Sequence, residues 1–200
     1  MKIQRKIILS RTKIAELTKK LAQALSSDFV NQKPLMISVM DGAVIFAADI
    51  LRGMKTHCEF SSCSCASYCG DEQGQAVQLF SVPERDKFKD RHVIVIDTIL
   101  DSCKTMKSIV DRIHECEPAS ISLCVLINKE AKSRDRFALQ AIAGRCSQMY
   151  AGIHLTTDQF VVGYGLDYHG FFRNWQDIID LASVPEKQKM IESFRERMKL

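Results

Sequence analysis

The chain of 200 residues has no run approaching the ~18 consecutive apolar residues that a membrane-spanning helix needs, so no membrane contact is expected. The opening Met1-Lys2-Ile3-Gln4-Arg5-Lys6 is followed by no long apolar core. A leader is therefore not expected, and a cytoplasmic location is. There is no block of basic residues either. The net charge is only +4, and nucleic-acid binders concentrate Lys and Arg on one face, so no nucleic-acid partner is expected. Repeats, low-complexity tracts and a second compositional region are all missing, which leaves one domain over residues 1–200. Paired Cys-x-x-Cys spacing is missing as well. Eight cysteines are present: Cys58, Cys63, Cys65, Cys69, Cys103, Cys116, Cys124 and Cys146. The cluster Cys63-Ser64-Cys65-Ala66-Ser67-Tyr68-Cys69 has no nearby histidine and makes a poor metal site. Free thiols are expected, with Cys63 and Cys65 sharing one face of a strand.

What is present is a core. The chain is 46% hydrophobic, enough for one full-sized interior. Ser10 precedes Ile14, Leu17, Leu21 and Leu25, a capped amphipathic helix. Leu35-Met36-Ile37-Ser38-Val39-Met40 is a buried strand, broken by Asp41-Gly42 and followed by a helix over 43–51. Residues 58–68 and 76–82 form a hairpin around a loop that carries Gly70 and Gly74. His92-Val93-Ile94-Val95-Ile96 is the strongest strand, with a loop over 97–102 and a helix over 104–114. Residues 121–127, 149–155 and 160–164 are later strands, and 186–199 a charged terminal helix. Strands alternating with helices predict a mostly parallel sheet with ligands at its carboxyl ends. Those ends carry Asp41-Gly42, residues 97–105, Asn128-Lys129 and Asp167.

The 97–105 segment reads as a sugar-phosphate cradle. A loop between a buried strand and a helix start points backbone N–H groups and the helix dipole at one spot, which suits an anion. Ser102 and Thr105 add hydroxyls, and Lys104 adds charge. Asp97 and Asp101 would repel a bare phosphate, so they make sense beside sugar hydroxyls, a metal ion or a base. A helix start decorated for capping alone is the plain alternative. Taken singly, Phe160 and Val161 read as core, Lys129 as a surface lysine, Asp167 as a turn residue and Arg173 as half of a surface ion pair.

As an ordered set they resemble a family. Val93-Ile94-Val95-Ile96-Asp97-Thr98-Ile99-Leu100-Asp101-Ser102-Cys103-Lys104-Thr105 is similar to the phosphoribosyl-pyrophosphate motif of the type I phosphoribosyltransferases, and in particular of the hypoxanthine-guanine branch. Met40-Asp41-Gly42-Ala43 resembles that branch's pyrophosphate loop, and Ser67-Tyr68 with Gly70 its mobile loop. Leu126-Ile127-Asn128-Lys129 resembles its base-reading strand. The most specific segment is Phe160-Val161-Val162-Gly163-Tyr164-Gly165-Leu166-Asp167-Tyr168 with Arg173. The resemblance covers roughly residues 8–180.

The resemblance implies an α/β fold with a mostly parallel central sheet flanked by helices, a core over about 35–165 and a small hood from 1–15 and 165–185. It implies purine salvage: a 6-oxopurine displaces pyrophosphate from phosphoribosyl pyrophosphate and yields a nucleoside monophosphate. Asp101 would take or hold the purine N7 proton. Ser102, Cys103, Lys104 and Thr105 would bind the 5′-phosphate, Asp97 and Thr98 the ribose hydroxyls, and Asp41 and Gly42 the pyrophosphate. Lys129 would donate to the 6-oxo group, Phe160 would stack on the base and the Val161 backbone would read its edge. Arg173 would contact pyrophosphate, Asp167 would help to hold Mg²⁺, and the loop of Ser67 and Tyr68 would close over the site. Homodimers or homotetramers are implied.

Three positions depart from the pattern. Thr98 stands for a second acid and would meet ribose only as a neutral partner, a loss of ~1–2 kcal/mol, so restoring an acid is expected to tighten sugar-phosphate binding. Cys103 stands for a glycine; at positive φ it would carry strain of order 1–3 kcal/mol, and its thiol is either acidified by the helix start or inert. Asp41 stands where lysine is frequent, and is unfavourable beside pyrophosphate unless a metal intervenes or it turns away. All three fall on the sugar-phosphate side. A weakened or inactive relative that binds purine nucleotides for regulation therefore stands beside the active enzyme.

Overall fold

The computed structural model describes residues 5–67 and 77–185, together with 187, 189, 192, 193 and 196. In chain order the elements are β1 (Ile7–Leu9), α1 (Arg11–Asp28), β2 (Leu35–Met40), α2 (Val44–Gly53), β3 (Glu59–Ser67), β4 (Val77–Ser81), β5 (His92–Leu100), α3 (Lys104–His114), β6 (Ser120–Glu130), α4 (Arg136–Arg145), β7 (Gln148–Thr156), β8 (Val161–Val162) and β9 (Ile178–Asp180). The described residues beyond 185 are helical, within the expected 186–199 helix.

Two sheets result. The large one has the order β4-β3-β2-β5-β6-β7. Strands β3, β2, β5, β6 and β7 pair in parallel, and β4 adds an antiparallel edge. The expected α/β architecture is present. Its central strands are apolar on both faces because both faces are covered. Ile94 and Ile96 of β5 pack with Leu17, Leu21 and Leu25 of α1 and with Phe46 and Ile50 of α2. Val93 and Val95 face the other way, onto Met106, Ile109, Val110 and Ile113 of α3 and Ala138 and Ile142 of α4. Each such fully buried aliphatic side chain contributes about 1.5–3 kcal/mol. Cys63 is buried and Cys65 partly buried in that second layer, on one face of β3 as expected.

The structure corrects the extent of two strands. β5 does not end at Ile96. Asp97, Ile99 and Leu100 pair with Val125, Ile127 and Asn128 of the longer β6, so the loop shrinks to Asp101, Ser102 and Cys103. The 160–164 strand is only Val161–Val162, because Gly163 (φ 103) and Tyr164 (φ 51) turn the chain. That short strand belongs to the second sheet, of order β1-β9-β8. Helix α4 and strands β1 and β9 were not expected.

Candidate active site

β5, its three-residue connection and α3 build an anion cradle. Cys103 caps α3 with φ 69, the left-handed region, and makes no side-chain cap bond. The Cys103 side chain thus does not compete for the α3 N-terminus, the kind of helix start that suits an anion. A cavity of about 150 Å³ lies here, lined in part by Asp97, Asp101, Ser102, Cys103 and Thr105. Ser102 and Thr105 are half-buried and Lys104 is exposed. Burial pushes the Cys103 thiol up, against the pull of the Arg134 guanidinium. This is the inert alternative rather than an acidified thiol.

The acids differ in environment. Asp97 is half-buried, and desolvation pushes it up to about 7 although the Thr98 and Ile99 amides pull it down. Its Oδ1 accepts from Thr98 N at 2.7 Å. Asp101 accepts at Oδ2 from Lys129 Nζ, 2.8 Å away, and at Oδ1 from Ser133 Oγ at 3.3 Å. Lys129 is only 5% exposed, so this is a lysine turned into the site and not a surface one. Its carbonyl accepts from Arg134 Nη1 at 3.0 Å. Sequence reasoning missed Ser133 and Arg134. They follow β6 in a polar turn with no pattern to single them out.

Thr98 is fully buried, and its hydroxyl donates to the Gly42 carbonyl at 2.8 Å. Its side chain is thus engaged with the 40–43 loop in this structure. Asp41, by contrast, is exposed.

Gly42 is the meeting point of a further group. Gly165 (φ +94) packs so close that a Cβ there would lie 2.2 Å from the Gly42 oxygen. The Gly165 carbonyl accepts from Arg173 Nη1 at 2.6 Å. Arg173 Nη2 pairs with Asp167 Oδ1 at 2.9 Å, and Gly170 N donates to Asp167 Oδ2 at 2.7 Å. The two side chains are about a third exposed, 32% and 30%. Phe160 is 54% exposed, with its ring edge-on to Tyr168 at 5.6 Å. Val161 belongs to the small sheet and Phe160 immediately precedes its strand, so the candidate base-stacking group is carried by a different sheet than Lys129. Ser67 ends β3, and Tyr68 lies outside the described residues.

The structure thus brings together Asp97, Asp101, Ser102, Cys103, Thr105 and Lys129, and separately Gly42, Thr98, Gly165, Arg173 and Asp167. Against this geometry, a family model described as the phosphoribosyl transferase domain matches residues 4–169. The chain belongs to the phosphoribosyltransferase family. A hypoxanthine-guanine phosphoribosyltransferase of Streptococcus pneumoniae is 29% identical over 172 residues, 85% of this chain and 89% of that protein. A hypoxanthine-guanine-xanthine phosphoribosyltransferase of Tritrichomonas foetus is 26% identical over 84% of this chain and 87% of its own. The crystal structure of a hypoxanthine-guanine phosphoribosyltransferase from Bacillus anthracis superposes with a TM-score of 0.73 at 26% identity, covering 90% of this chain and 99% of that one. Among the described residues of this phosphoribosyltransferase, no helix is long and apolar enough to cross a membrane.

Proposed function

We propose that this phosphoribosyltransferase serves purine salvage by transferring phosphoribosyl from phosphoribosyl pyrophosphate to a 6-oxopurine. The carrying observation is the pair of Asp101 and Lys129, 2.8 Å apart beside the phosphate cradle. A 6-oxopurine presents O6 and N7 side by side on one edge. Lysine only donates, and its ammonium has three donors, so it can keep Asp101 and still serve O6. Asp101 takes the N7 proton as N9 bonds to ribose C1 and the C1–oxygen bond to pyrophosphate breaks. A 6-amino group offers Lys129 no acceptor, which disfavours adenine. Arg173 and the 41–42 backbone meet the charge that grows on pyrophosphate, and Asp97 accepts from ribose hydroxyls. The names of the relatives support the same substrate class.

Mg²⁺ fits the donor set of Asp167. Each carboxylate oxygen accepts one bond from the protein and keeps a lone pair, and the side chain is 30% exposed. Mg²⁺ commonly takes one or two carboxylates with substrate phosphates rather than a full protein cage. When bound, it would neutralise charge on pyrophosphate. The proposal includes a homodimer or homotetramer in the cytoplasm, which light scattering and fractionation check.

The test is purified protein with Mg²⁺, phosphoribosyl pyrophosphate and hypoxanthine, guanine, xanthine or adenine in turn, followed by nucleoside monophosphate and pyrophosphate. Products are expected with one or more 6-oxopurines and not with adenine. Nucleotide binding without turnover on any base would replace the enzyme by a purine-nucleotide-binding relative.

A further inference from the structure

We propose that Thr98 is a positioning residue that latches the 40–43 loop to the acidic end of β5, in place of the ribose contact a second acid would make. The inference rests on the transferase reading above for what the loop binds, but not for the latch itself.

The Thr98 side chain is fully buried, and its Oγ1 lies 2.8 Å from the Gly42 oxygen. That oxygen is a carbonyl acceptor, so the bond requires a proton on residue 98. An ionised carboxylate carries none. Threonine at 98 therefore makes a contact that the acid it replaces cannot make, and the substitution is a change of role rather than a loss.

The contact lies at a junction of three segments. A Cβ on Gly165 would come within 2.2 Å of the Gly42 oxygen and 3.7 Å of Thr98 Oγ1. The 163–166 turn thus presses on the same peptide that Thr98 holds from the β5 side. Gly165 in turn accepts from Arg173 Nη1, and Arg173 pairs with Asp167. On the other flank, Thr98 N donates to Asp97 Oδ1. Residue 98 consequently ties the loop that would meet pyrophosphate, through its hydroxyl, to the acid that would meet ribose, through its backbone amide. Through Gly42 and Gly165 it connects to the arginine, and through the arginine to the carboxylate, of the proposed pyrophosphate and Mg²⁺ site. Lys129 and Phe160 take no part in the network, so the latch acts on the sugar-phosphate half of the site alone.

Thr98→Val keeps the shape and removes the donor, whereas Thr98→Ser keeps the donor. Thr98→Asp restores the acid. With the intact enzyme, Thr98→Val is expected to raise the KM for phosphoribosyl pyrophosphate and the Kd for Mg²⁺-pyrophosphate by about tenfold, the size of one buried hydrogen bond, with the KM for the purine unchanged. Thr98→Ser is expected to recover most of that loss, and Thr98→Asp not to. Amide hydrogen exchange in the free protein should be faster over residues 41–44 in the valine variant and not in the serine variant. Thr98→Ala carries the same comparison if valine does not fold. A valine variant with wild-type KM and wild-type exchange would overturn the latch, and so would an aspartate variant that binds phosphoribosyl pyrophosphate more tightly than wild type. If the wild type turns over no base at all, the transferase proposal fails, and the exchange contrast between valine and serine still decides the latch.

Discussion

Burial lifts the Asp97 carboxyl from its ordinary 3.8 to about 7, with two backbone amides pulling only partly against it. Between those values the folded chain holds a proton that the unfolded chain has released. The contribution of Asp97 to stability is therefore present below 3.8 and is lost as pH rises through about 7. In denaturant titrations across that window, wild type should lose stability more steeply than Asp97→Asn. Equal slopes would mean that Asp97 titrates as an ordinary exposed acid. Cys103 poses the opposite problem, a backbone cost with no charge. Its φ of 69 is expensive for any residue with a Cβ, yet its side chain is 3% exposed and packed. Gly and Ala both remove the sulfur, so comparing them isolates the backbone. Cys103→Gly should be about 0.5–1 kcal/mol more stable than Cys103→Ala, from ~1–2 of relieved strain less ~0.4–1 of added chain entropy. Denaturant midpoints at constant m decide it. Alanine at or above glycine would show that the position is not held left-handed.

At the scale of elements, the 163–170 turns place Asp167 and press on the 40–43 loop. Gly165 and Gly170 both have positive φ, +94 and +83. A Cβ at Gly165 meets backbone at 2.2 Å, while one at Gly170 meets nothing within 4 Å. Gly170→Ala should cost only the left-handed penalty, about 1 kcal/mol, and Gly165→Ala about 2–4 kcal/mol together with weaker pyrophosphate binding. Similar costs from thermal melts would contradict the close approach at Gly42. The same elements explain what was legible. Helix α3 was legible to the residue because Met106, Ile109, Val110 and Ile113 form a continuous buried stripe. Helix α4 was not. It buries only Ala138 and Ile142 and leaves Phe137 85% exposed, so no stripe exists. Its one local signal is the Asp135 cap, which accepts from Ala138 N. Strands β1 and β9 span three residues each, too few for alternation to register. In the site, Asp101 and Lys129 were legible as strand-end residues in an ordered motif. The partner of Thr98 lies 56 positions away, and nothing local announces a bond to a carbonyl.

The whole molecule divides the candidate site between two sheets, and one short strand holds the smaller of them. The proposed phosphate, ribose and 6-oxo contacts come from β5 and β6 of the large sheet and from α3, which packs on it. Val161 lies on β8, with Phe160 immediately before it, and β8 pairs with β9, which pairs with β1. Strand β1 is therefore two strands removed from β8 and closes the far edge of the small sheet. Its attachment is dense for its length. Asp180 N donates to the Lys6 carbonyl at 3.0 Å, and Lys6 N donates to Ser183 Oγ at 2.9 Å. Arg5 stacks over Trp175 at 4.2 Å. A two-stranded remnant is marginal by itself, so β8 and β9 depend on this third strand for order. Deleting residues 1–9 leaves Ser10 to cap α1 and leaves every strand of the large sheet in place. The deletion should raise the KM for the purine by about tenfold while the KM for phosphoribosyl pyrophosphate moves by less than about threefold, because the small sheet opens as a local unit. Circular dichroism should show the large sheet retained. Equal rises in both KM values, or a cooperative loss of all structure, would show that the small sheet and the phosphate cradle fold as one unit and that the division of labour between the sheets is not energetic.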